Sequence, residues 1–173
     1  MLSESNAKGW FAKHTESEAK KDVMKLSERT GELIGIFCIL ILIIFFITHQ
    51  TSSTGFFTSK FGRLEQFLLY GSLSFGIITS IGKIIVGRKN VIRPLEAFGA
   101  LFSFIALLWL LDVFPFDFTH LTDILPEILR LITIWISNDI AKIFMIIGIV
   151  GSFVTAIYII APYVSILRLD KPN

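Results

Sequence analysis

Between positions 112 and 127 lie five side chains able to hold a cation: Asp112, Asp117, His120, Asp123 and Glu127. Carboxylate oxygens and an imidazole suit a divalent metal. Asp117, His120 and Asp123 recur every three residues, a spacing that could bring them onto one face of a helix or turn. No HxH, HxxxH or HExxH pattern accompanies them. Without such a pattern the plainer reading is a solvated acidic loop, with Arg130 as its countercharge.

A second group is basic. Lys83, Arg88, Lys89 and Arg93 cluster around the short sequence GRKNVIRP. Near a membrane surface each such residue attracts an anionic lipid headgroup by about 1 kcal/mol. The same charges would also serve simply to orient the flanking apolar segments. Lys83 and Glu96 are placed to pair with each other across this loop.

The third pattern is one of small residues. Ser72, Gly76 and Ser80 fall at i, i+4 and i+8; Gly99 and Ser103 are four apart; Gly148, Ser152 and Ala156 repeat the first pattern. On a helix these positions form stripes that let a neighbouring backbone approach closely. The hydroxyls among them are expected to hydrogen-bond between helices.

Enzyme chemistry is not written in the chain. It has no Walker loop, nucleophile elbow or dinucleotide fingerprint, and His14, His49 and His120 stand far apart. No histidine sits in the middle of an apolar run, where a membrane haem would need one. The expectation is a non-enzymatic protein without a cofactor.

The elements that carry these residues are membrane spans. The chain has 173 residues, 53% of them hydrophobic and 17% charged, which is too apolar for a soluble surface. A bilayer core of about 30 Å takes roughly 20 apolar residues per helix. Four runs qualify, at about 33–48, 67–86, 95–113 and 140–164, and the first reads LIGIFCILILIIFFI without a charge or proline. The single cysteine, Cys38, lies in that run as a small packing residue.

A fifth apolar stretch, 123–137, carries Asp123, Glu127, Arg130, Thr133 and Ser137 on a narrow stripe. Its apolar part is too short to cross, so it is expected to lie in the interface or re-enter, with Trp135 near the headgroups. Phe56, Phe57 and Phe61, and the phenylalanines of FPFDF, are expected at the lipid interface. Ser137, Asn138 and Asp139 offer helix-start chemistry for the last span, and Pro94 suits the first turn of the third.

Residues 1–32 form a densely charged segment, expected as a helical stem. Thr15 and Glu18 make a capping box, and Glu16 with Lys20, Glu18 with Lys21 and Asp22 with Lys25 are ion pairs at helical spacing. Ala19, Val23, Leu26, Thr30 and Leu33 recur as a short seam along it, and Trp10 with Phe11 make a membrane-surface foothold.

Twelve of the sixteen Lys and Arg fall on one side of a four-span arrangement and four on the other. By the positive-inside rule both termini are then cytoplasmic. The expected architecture is an all-α polytopic bundle: stem 1–32, transmembrane domain 33–167, tail 168–173, in the cell membrane. The function that fits is an accessory or scaffolding subunit acting through helix packing. Its partners would be membrane lipid and other membrane subunits or further copies of itself, with no role for nucleic acid. The alternative is a small oligomeric transporter or channel for a cation or small solute.

Overall fold

The computed structural model describes residues 22–169, with side chains as far as Ala161. The chain is all-α among these residues. Its helices are α1 Leu26–Thr51, α2 Arg63–Val86, α3 Lys89–Val113, α4 Glu127–Thr133 and α5 Asn138–Leu169, with a 3-10 turn at Phe118–His120. Four of them, α1, α2, α3 and α5, are long and apolar enough to cross a bilayer. The protein is a multi-pass membrane protein.

Each long helix extends past its apolar run because polar residues at the ends satisfy the backbone. Glu28 reaches back to the Lys25 amide at 2.9 Å and so starts α1. Glu65 does the same for the Gly62 amide at 2.9 Å and starts α2. Gly87, at φ 66°, ends α2 in the left-handed conformation that glycine adopts without strain. Phe114 ends α3 because Pro115 disfavours a helical conformation in the residue before it. Ser137 opens α5 as expected, its carbonyl accepting from Ala141 at 2.9 Å.

Three expectations for local structure are corrected. The stem is not helical at 22–25, where Val23 forms an antiparallel bridge with Arg88 and the chain is extended. Asp22 does not pair with Lys25; its carboxylate accepts from the Asn90 amide at 2.9 Å, because the α2–α3 loop lies beside it. The capping box, the other two stem pairs, Ala19, Trp10 and Phe11 lie outside the described residues. Pro94 falls as the sixth residue of α3 rather than in its first turn, since the helix starts earlier, at Lys89.

The long helices pack in chain order, α1 on α2, α2 on α3 and α3 on α5. Both loop regions at the end opposite the termini meet there, through an antiparallel bridge between Phe57 and Phe116. We call this the loop end, and the end holding Asp22 and Gly87 the terminal end. The interior of the row is thin: the most apolar stretch of α1 has no buried residue, so most of that helix faces outward.

The densest core is at the loop end, where the sequence pointed to lipid-facing phenylalanines. Phe56 is fully buried and Phe116 nearly so, in a cluster with Leu69, Leu110 and Leu121. Phe57 and Phe61 stack at 3.9 Å between ring centroids beside it. A loop of aromatics cannot be told from a lipid belt by composition. The Asp117 amide donates to the Phe56 carbonyl at 2.7 Å, and that bond ties the two loops into one cap.

Candidate functional site

At the terminal end the charged residues of three helices converge. Lys83 on α2 sits between two carboxylates: its ammonium is hydrogen-bonded to Glu32 on α1 and lies 2.7 Å from Glu96 on α3. Ser80, one turn before Lys83, donates to the other oxygen of Glu32 at 2.6 Å. Glu32 lies six residues into α1, about 9 Å along the helix. The pairing of Lys83 with Glu96 is as the sequence suggested. The part of Glu32 was missed, because it stands immediately before the apolar run and was grouped with the stem.

Two of the remaining basic residues of this loop also have acidic neighbours. Lys89 donates to Glu28 at 2.6 Å, Arg88 lies 3.9 Å from Asp22, and Arg93 is buried. Lys83, Lys89 and Arg93, with Glu28, Glu32 and Glu96, line a cavity of about 470 Å³ that Thr155 and Tyr158 of α5 complete. All four long helices contribute to its wall. Cations and carboxylates are balanced there, so the basic group is not a bare anion-binding patch.

Beside this vestibule lies a second cavity, of about 260 Å³, lined by residues of α2, α3 and α5. The two share Glu96, Thr155 and Ile159 as lining residues. Ser72, Gly76, Gly99, Ser103 and Ser152 line the second, so five of the eight small residues singled out in the sequence come together here. Ala156 is buried, and a Cβ on Gly148 would lie 3.3 Å from Leu107, which makes that residue part of the α3–α5 contact. A Cβ on Gly76 would meet Ile39 of α1 at 2.9 Å, and one on Gly99 would meet Phe75 of α2 at 3.5 Å.

The hydroxyls differ from expectation. Ser72, Thr79 and Ser152 donate to carbonyls of their own helices, Leu69, Phe75 and Ile149, each at 2.9 Å. Of Ser72, Thr79, Ser80 and Ser152, only Ser80 reaches another helix. A hydroxyl that back-bonds one turn away satisfies its proton within its own helix and needs no partner from a neighbouring one.

At the loop end the acidic residues take separate tasks. Asp117 caps the 3-10 turn, accepting from the Thr119 hydroxyl at 2.7 Å and its amide at 3.1 Å. Those donors hold the Asp117 carboxyl below the usual carboxylate range. His120 pairs with Asp123 at 2.9 Å, while Asp112 is at the end of α3 and Glu127 begins α4. Among the described residues no three His, Cys, Asp or Glu side chains gather as a metal site would need.

The sequence marked His49 only as one of three scattered histidines. This residue is 1% exposed, with Nδ1 2.6 Å from the Thr54 hydroxyl and its ring 4.6 Å from those of Phe45 and Phe56. Gly55, at φ 95°, lets the loop turn against His120; a Cβ there would lie 2.9 Å from that ring. Glu65 is likewise buried and accepts from the Trp109 indole at 2.9 Å. Neither role has a sequence signal, since each depends on a partner more than forty positions away or on loop closure.

Compared with protein-family models, with curated proteins and with solved structures, the chain matches none.

Proposed function

We propose that this protein is a non-catalytic accessory subunit of a membrane assembly, acting through helix packing, with both termini cytoplasmic. The observation that carries the reading is the outward face of α1. No residue of its most apolar stretch is fully buried within the chain, and a Cβ on Gly31 or Gly35 would meet no atom within 4 Å. Two glycines four residues apart on an uncovered span give another helix room for close backbone approach. Among the described residues more Lys and Arg lie at the terminal end than at the loop end, which supports its cytoplasmic placement.

Native mass spectrometry of the protein extracted from its own membrane in mild detergent tests this directly. A foreign subunit in fixed stoichiometry is the expected result, and its loss in Gly31→Leu or Gly35→Leu would locate the contact. A bare monomer in lipid, unchanged by those substitutions, would remove the reading.

A second function rests on a different observation, the two neighbouring cavities. A mostly apolar cleft bordered by Ser and Thr residues, beside a vestibule of balanced charge, supports a small transporter for a cation or polar solute. Here Ser72→Leu or Ser152→Leu should leave assembly intact and abolish flux in liposomes. Under the accessory reading no flux exists to lose.

A further inference from the structure

The segment from Pro126 to Trp135 has an unusual surface for a part of the chain that makes no substantial packing with any other helix. Ile128, Leu131 and Ile134 are each at least 75% exposed, and Ile132 and Trp135 more than half. Three of its polar side chains are folded back on its own backbone, and Glu127 is exposed at the start of the helix. The Arg130 guanidinium donates to the Leu125 carbonyl at 2.9 Å, the Thr133 hydroxyl to that of Leu129 at 2.8 Å, and the Trp135 indole to that of Ile132. From Ile128 onward large apolar side chains are exposed while Arg130, Thr133 and Trp135 bond the local backbone, unlike a water-facing loop.

Its depth is fixed by contact. Trp135 meets Phe144 of α5 edge-on, with ring centroids 6.4 Å apart. Phe144 lies six residues inside α5, about 9 Å from its start at Asn138. The neighbouring Ile136 packs against the buried aromatic cap, which holds the segment beside the span instead of above it. Its apolar surface continues that of α5, where Ile143, Phe144 and Ile147 are exposed.

We propose that residues 128–135 are immersed among the acyl chains of the leaflet at the loop end, at the depth of Phe144, as a lipid-embedded wedge. The partner is phospholipid acyl chain. The inference rests on the protein being a membrane protein and is independent of whether it is an accessory subunit or a transporter. The carboxylates Asp117, Asp123, Glu127 and Asp139 around the segment give an anionic headgroup no attraction, so a neutral phosphatidylcholine leaflet should suffice.

Spin labels at Leu131→Cys and Ile134→Cys test it, in the full chain with Cys38→Ala, reconstituted in phosphatidylcholine vesicles. Both should collide with oxygen in preference to a nickel chelate, as a label at Ile147→Cys on α5 does, whereas Asp123→Cys should show the opposite preference. Labels at 131 and 134 that follow 123 would overturn the proposal. So would labels shielded from both reagents, which would mean that protein covers the face. The unsubstituted chain gives a second readout: phosphatidylcholine carrying a photoreactive diazirine within its acyl chain should crosslink to residues 128–135. Crosslinks on α5 with none on that stretch would equally overturn it.

Discussion

A lysine ammonium shared by two carboxylates at helical depth is costly to assemble and costlier to take apart. Side chains of Lys83, Glu32 and Glu96 are each less than a quarter exposed. In Lys83→Met the two carboxylates would face each other without their common cation, and the loss in unfolding free energy should be about 3 kcal/mol. Adding Glu32→Gln and Glu96→Gln should recover part of it, because the uncompensated charge is then gone. Denaturant unfolding followed by circular dichroism in detergent would show both. At Asp117 the sign runs the other way from a buried base. Its carboxyl is held low by Thr119, so the capped turn is stabilised above the unfolded carboxylate value of about 3.9 and loses that support as pH falls through the lower folded value. The Thr119 amide resonance should therefore titrate with a midpoint below about 3.9, move up in Thr119→Val, and show no such step in Asp117→Asn.

Among the elements, the α1–α2 loop is the most constrained. Gly55 has a φ of 95° and the His120 ring within 2.9 Å of the site of a Cβ, so Gly55→Ala carries both backbone strain and a clash. A loss of about 1–3 kcal/mol is expected, read as a lowered melting temperature. Gly148→Leu tests a different contact: its Cβ would press on Leu107 at 3.3 Å and separate α5 from α3. Spans read as apolar runs showed where helices are but not which faces meet, since in lipid the side chains outside a bundle are as apolar as those inside. The small-residue stripes were the legible part of that packing, and Ser72, Gly76, Gly99, Ser103 and Ser152 do border one cleft.

As a whole, the molecule is fastened at its two ends and thin between them. The terminal end is held by the Glu32–Lys83–Glu96 cluster and the Lys89–Glu28 pair. The loop end is held by the aromatic cap around Phe56. Phe56→Ala should cost about 3–5 kcal/mol through the cavity it leaves. Because the two fastenings share no residue, its effect should add to that of Lys83→Met within about 0.5 kcal/mol in the double variant. A marked departure from additivity would show that the ends open together.

The sequence by itself determined the number of spans, the likeness of 123–137 to a segment that does not cross, and the salt link from Lys83 to Glu96. Each of these depends on local features: run length, a polar stripe, and two charges flanking one short loop. Only the tertiary structure decided that Glu32 completes the ion cluster, that His49 and Phe56 are core residues, and that the small residues of α2, α3 and α5 line one cleft. Those outcomes depend on which helix lies beside which, and on loop residues brought together from distant positions. Hydropathy is blind to both, because aromatics packed in a cap and aromatics set in lipid have the same composition.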